Sequence, residues 1–112
     1  MNNIDNLKFG DIVLADLPFS DGSQTKIRPV LILLKDRYDY LIMKVSSIVD
    51  KKQDIDLLIT PDGKNNLLED SIFKIKDIWK FSREILRKHI GELSSKDCSL
   101  VKTSLVKIMQ DL

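Results

Sequence analysis

The sequence predicts a mainly β protein: a small, strongly bent sheet or barrel packed against one C-terminal helix. Two observations carry this expectation. Short apolar runs bounded by turn residues recur along most of the chain, and a single apolar stripe at helical spacing occupies its end. The 112 residues amount to about one domain, read as a single unit over 1–112.

Residues 11–17 (DIVLADL) read as a first strand stopped by Pro18, and residues 20–24 (SDGSQ) as a polar loop with turn chemistry at Asp-Gly. Residues 27–34 (IRPVLILL) are a nearly continuous aliphatic run, the pattern of a strand buried on both faces. Residues 36–39 (DRYD) turn the chain, and 40–48 return as a third strand. Ile55, Leu57 and Ile59 alternate with Asp54 and Asp56, giving a half-exposed strand. The loop 61–66 (PDGKNN) leads to a strand over 71–75, a short helical turn near 82–85 and a last strand over 87–93. Ser94 or Ser95 caps the helix start, with Asp97 near the positive end of its dipole. Cys98, Val101, Leu105, Ile108 and Leu112 then recur at steps of three and four, forming one apolar stripe.

Apolar residues make up 43% of the chain and charged residues 31%, an ordinary globular mixture. One cysteine, Cys98, excludes an internal disulfide framework and a multi-cysteine zinc site. One histidine, His89, excludes a multi-histidine metal site and leaves a single ring for any Ser-His or Cys-His nucleophile. Neither a metal nor another cofactor is therefore expected. The first residues show no basic region followed by an apolar one, and no apolar run approaches the ~20 residues of a membrane span. The expected location is cytoplasmic.

The second and third strands flank a short turn, so their register can be estimated. With the turn symmetric about Arg37 and Tyr38, paired residues sum to 75 and Arg28 lies opposite Ser47. A slip of one residue places it opposite Ser46. Either register sets a guanidinium beside hydroxyls at a cross-strand spacing of about 5 Å. Such a fork of donors next to a hydroxyl suits a phosphate. An arginine at a strand end beside surface serines is the plain alternative.

Residues 8–14 (KFGDIVL), the loop Asp21-Gly22-Ser23 and residues 26–33 (KIRPVLIL) resemble the MazF/PemK toxins of type II toxin–antitoxin systems. The likeness continues through Val45-Ser46-Ser47, Asp70-Ser71-Ile72 and Ile90-Gly91-Glu92-Leu93-Ser94, covering about Leu7 to Leu112. It implies an SH3-like small β-barrel with a C-terminal α-helix, the architecture of the MazF, PemK and CcdB toxins. It also implies a homodimer with RNA along its interface, and a cognate antitoxin as partner. The implied activity is a sequence-specific, metal-independent endoribonuclease acting on single-stranded RNA, leaving 2′,3′-cyclic phosphate and 5′-hydroxyl ends. The family's catalytic arginine, the one before proline, falls on Arg28, and its strand-3 hydroxyl on Ser46 with Ser47 beside it. Serine replaces the commoner threonine, Gln24 stands near where some relatives have glutamate, and Lys74-Ile75-Lys76 stands where some relatives carry Arg-x-Asp. The competing readings are a non-catalytic toxin resembling CcdB, which binds DNA gyrase, and a barrel that binds RNA or protein without chemistry.

The net charge of +1 hides an uneven distribution. Residues 26–52 carry seven basic against three acidic side chains, and residues 71–89 six against two. Residues 1–25 and 53–70 are acidic in turn. Lys26 lies in the first basic block and Lys74, Lys76 and Lys80 in the second, so the two form a basic surface for RNA if they adjoin. Phe19 and Trp79 are the aromatic candidates for stacking on bases. Asp21, Gly22, Ser23 and Gln24, in the loop before Arg28, complete the expected RNA contacts.

Overall fold

The computed structural model describes residues 4–18 and 24–112. Among these residues, six strands form one antiparallel sheet: β1 (Asp11–Pro18), β2 (Thr25–Asp36), β3 (Asp39–Ser46), β4 (Leu57–Ile59), β5 (Ser71–Ser82) and β6 (Leu86–Glu92). One helix, α1 (Ser95–Gln110), follows, and the strand order is β4-β5-β3-β2-β1-β6. Short 3₁₀ turns occupy Val49–Lys51 and Arg83–Ile85, the second within the helical turn expected from the sequence.

The continuous aliphatic run of β2 has a structural cause: its two faces serve two different cores. Leu31, with Ile12, Met43, Val45, Phe73 and Ile75, faces the core covered by α1, into which Val101 is fully buried. Val30 and Ile32 point the other way, joining Val13, Ala15, Tyr40 and Ile42. Successive strand residues point to opposite faces, so a central strand between two cores has no polar face to show.

The helix begins where the sequence placed it. Ser94 is the N-cap, its hydroxyl accepting from the Asp97 amide at 3.1 Å. Cys98, Leu105 and Ile108 pack partly buried beside Val101. Leu112 departs from the expected stripe: it lies beyond the end of α1 and is 92% exposed.

Two strands differ in length from the expectation. The segment expected to pair from Ile55 is a strand only over Leu57–Ile59. Just before it, the buried Asp56 turns its carboxylate inward and accepts from the amides of Gln53 at 3.0 Å and Ile75 at 3.2 Å. Conversely, β5 runs on from Ile75 to Ser82. Its register with β3 jumps between Val45↔Phe73 and Met43↔Ile78, so β5 carries extra residues through a bulge and bends there. The charges of Lys74, Lys76 and Asp77 at this bend break the alternation that would have revealed one long strand.

The loop between β4 and β5 packs on β6 and closes the open side of the sheet. Asn65 is fully buried, its Oδ1 accepting from the amides of Asp62 at 3.1 Å and Leu67 at 2.9 Å, and its Nδ2 donating to the Thr60 carbonyl at 3.0 Å. The Glu92 amide donates to the Lys64 carbonyl at 3.0 Å and Asn66 Nδ2 to the Ile90 carbonyl at 2.8 Å. This approach requires a glycine at position 91, because a Cβ there would stand 2.4 Å from the Asn65 carbonyl oxygen. Among the described residues, no helix is long and apolar enough to cross a membrane.

Candidate active site

Arg28 and Ser46 are brought together by a bulge in the β2–β3 hairpin. Near the turn the pairs are Asp36↔Asp39, Lys35↔Tyr40 and Leu34↔Leu41, the symmetric register expected from the sequence. Leu33 is then the extra residue, and the pairs continue as Ile32↔Ile42, Leu31↔Met43 and Val30↔Lys44. Carried on by two residues, this register sets Arg28 level with Ser46 rather than Ser47. The ladder itself stops at Val30↔Lys44, one residue short of Pro29, which has no N–H to donate. Beyond that point a groove of about 330 Å³ holds Arg28, Lys44, Ser46, Ser47, Lys51 and Lys74, with Leu17 and Asp77 at its edges.

The cationic character of this groove follows from which charges are compensated. Lys74 Nζ lies 3.5 Å from the buried Asp56 carboxylate, so its charge is largely committed inward. Arg28 has no carboxylate partner among the described residues and is half-buried at the groove wall. Lys44 Nζ sits 4.7 Å from the ring centroid of Trp79, over its face. The Ser46 hydroxyl accepts from the Ile48 amide at 3.1 Å, which orients its oxygen as β3 ends. Because the oxygen accepts there, the hydroxyl proton is the part left to donate into the groove.

Trp79 is 49% exposed, stacked near Phe81 at 6.5 Å between centroids, and its Nε1 donates to the Asp77 carboxylate. The indole is thereby pinned in place while one side remains open to solvent. Through Lys44 it continues the Arg28 groove along β3 and β5.

The expected site residues fall into three groups. Arg28, Ser46, Ser47 and Lys74 share the groove, with Trp79 adjoining it through Lys44. Gln24 and Lys26 are exposed at the start of β2, with Lys26 opposite Leu17 of β1. Lys76 and Lys80 lie elsewhere. Lys76 borders a different groove with Lys107 and Asp111, near the end of α1. Lys80 pairs with Asp36 at 2.9 Å and Asp39 at 3.8 Å, at the hairpin turn, and these carboxylates raise its pKa. The bulge and length of β5 account for this separation, since Lys80 stands opposite Leu41, at the far end of β3 from Ser46. Phe19, Asp21, Gly22 and Ser23 lie outside the described residues.

Three charged groove residues escaped the sequence reading. Lys44 was legible in principle, because alternation along β3 puts it on the same face as Ser46. Lys51 and Asp77 reach the groove from a 3₁₀ turn and from the β5 bulge, for which the sequence carries no periodic signal. His89 stands apart in β6, its Nε2 3.3 Å from the buried Asp11 carboxylate. Burial pushes the Cys98 thiol pKa up, which disfavours the reactive thiolate.

Several solved structures share this fold. An endoribonuclease in complex with its cognate antitoxin from a mycobacterial species superposes with a TM-score of 0.73 at 13% identity, covering 94% of this chain and 96% of that one. The Mycobacterium tuberculosis toxin MazF-mt6 gives 0.71 at 19% identity, covering 89% and 96%. A MazE–MazF structure from Deinococcus radiodurans gives 0.67 at 15% identity, covering 92% and 94%. At these identities the likeness is one of fold. No curated protein matches the sequence. The family model of the PemK-like, MazF-like toxins of type II toxin–antitoxin systems, however, matches residues 8–109. The chain belongs to that toxin family.

Proposed function

We propose that this toxin is a metal-independent endoribonuclease that cleaves single-stranded RNA at a short sequence motif, with Arg28 at the centre of its site. The observation that carries the reading is Arg28 itself: a half-buried guanidinium without a described carboxylate partner, set beside two serine hydroxyls in a cationic groove. A guanidinium left uncompensated in this way is suited to an anionic ligand, and its planar fork to phosphoryl oxygens. The exposed Trp79 next to that groove supplies the flat surface on which an unstacked base rests.

RNA brings its own nucleophile, so the protein need not generate one. The 2′-hydroxyl beside the scissile phosphate gives up its proton to solvent as its oxygen bonds to phosphorus, the bond to the 5′-oxygen breaks, and that oxygen takes up a proton from solvent. The products are a 2′,3′-cyclic phosphate and a 5′-hydroxyl. Negative charge builds on the non-bridging oxygens as phosphorus gains its fifth ligand, and Arg28 stabilises it. Ser46, oriented by the Ile48 amide, donates to the phosphate and holds it in line for attack. Two copies forming a dimer, and an antitoxin whose acidic tail covers the groove, complete the proposed system.

The test is to incubate the purified protein with mixed RNA in EDTA and map the ends, beside Arg28→Ala. Cleavage by the native chain, lost in the variant and leaving cyclic-phosphate ends, supports the reading. Equal cleavage by both proteins, or 5′-phosphate ends, overturns it. No cleavage by a folded native protein that still binds a gyrase subunit would transfer the reading to a CcdB-like poison.

A further inference from the structure

Arg28 and Ser47 line a second cavity besides the cationic groove. It measures about 250 Å³ and shares Arg28, Val45 and Ser47 with the groove, but it is bounded by Leu14, Ile27 and Pro29 where the groove is bounded by Leu17, Lys44 and Ser46. Its character is different. Leu14, Pro29, Leu67 and Ile90 form apolar walls, and its rim carries Ile27, 56% exposed, and Leu68, 98% exposed. Arg28 and Ser47 stand at the end shared with the groove, and the polar groups on the loop side are Asn66, Glu69 and Ser71. Asn66 Nδ2 is engaged by the Ile90 carbonyl at 2.8 Å, which leaves its Oδ1 as an acceptor. Glu69 contributes a carboxylate, and the buried Ser71 hydroxyl donates to the Glu69 carbonyl at 2.9 Å, leaving its oxygen as an acceptor.

We propose that this cavity is a subsite for one unstacked nucleobase next to the phosphate held by Arg28, and that it selects a base bearing an exocyclic amine, namely cytosine, adenine or guanine over uracil. The proposal rests on the ribonuclease reading above and adds where part of its sequence choice resides. Apolar walls with a few placed polar groups favour a flat, mostly apolar group over a phosphate or sugar. Because Arg28 and Ser47 border both spaces, a phosphate on Arg28 directs one neighbouring nucleotide to each side. Acceptors at the polar end pair with an exocyclic amine, as a glutamate does with cytosine N4. Uracil presents two carbonyl oxygens flanking its N3–H and is the poorest match.

The wall is built to hold its shape. Asn65 staples the loop that supplies Leu67, Leu68 and Glu69, and Asn66 keeps a positive φ of 55° while its amide bridges to Ile90. A preformed wall of this kind lets the cavity discriminate without first ordering a segment.

The experiment is cleavage of a randomised single-stranded RNA pool, with ends sequenced, by the native protein, Glu69→Gln and Ile27→Trp. Both substitutions fall on exposed side chains, and circular dichroism verifies that the variants fold. The native profile should disfavour uracil about tenfold at one position adjoining the cut, as expected for one hydrogen bond to a charged group. Glu69→Gln, which adds a donor, should admit uracil there, and Ile27→Trp, which covers the mouth, should flatten the preference at that position alone. A native preference that both variants retain unchanged overturns the subsite and leaves the ribonuclease reading standing. A folded native protein that does not cut RNA, or cuts as well with Arg28→Ala, overturns the reading itself and the subsite with it.

Discussion

Arg28 and Ser46 act as a pair because of their chemistry as well as their proximity. The guanidinium supplies two parallel donors, whereas a lysine in its place supplies a point charge. Ser46 retains the donor of the commoner threonine without the β-branch that restricts its rotamer. Ser46→Thr should therefore retain or raise the cleavage rate, while Ser46→Ala should lower it by roughly tenfold to a hundredfold, the scale for removing one transition-state donor. Single-turnover assays on one oligonucleotide measure both, and equal rates for the two variants would remove Ser46 from the site. At this scale the sequence was informative in kind and imprecise in place. The hairpin turn could be centred on Arg37 and Tyr38, but nothing in an aliphatic run marks Leu33 as the bulged residue. That single extra residue decides whether Arg28 meets Ser46 or Ser47.

Among the elements, the loop between β4 and β5 is the one whose removal would cost most at the site. It closes the sheet against β6, and it walls the cavity beside Arg28. Its fit depends on Gly91, where a Cβ would meet backbone atoms of Asn65 at 2.4 and 2.7 Å. Gly91→Ala should lower stability by about 1–3 kcal/mol, the usual range for overpacking, since backbone and not a flexible side chain must yield. Urea unfolding measures this, and an unchanged midpoint would show that the loop has room to shift. The Gly-Glu-Leu run was visible in the sequence as part of a last strand, yet the glycine's partner sits some 25 residues earlier in the chain, roughly the separation at which local patterns say nothing about contact. The helix was legible by contrast up to its last residues, because its cap and stripe are local, and only Leu112 fell outside it. The second half of β5 was hidden by the charges at its bend.

Over the whole molecule, charge separates into compensated and uncompensated sets. The two basic blocks meet across β3 and β5, but Lys80 is paired with Asp36 and Asp39, Lys74 with Asp56, and Arg87 with Asp16. What faces the groove without a carboxylate partner among the described residues is Arg28, Lys44 and Lys51. Three such contacts give a slope of about −2 for log affinity against log salt on single-stranded RNA. Lys51→Gln should reduce that slope by about 0.7, measured by fluorescence anisotropy with an uncleavable oligonucleotide. An unchanged slope would place the RNA backbone elsewhere on the surface. Composition alone reported a nearly neutral protein, and only the fold shows which positive charges remain available. The most direct test of the central claim replaces the ribose beside the mapped cut with its 2′-deoxy form. An account in which Arg28 stabilises attack by the substrate's own hydroxyl predicts that cleavage at that bond disappears while binding persists. Cleavage that continues at the deoxy position would contradict it.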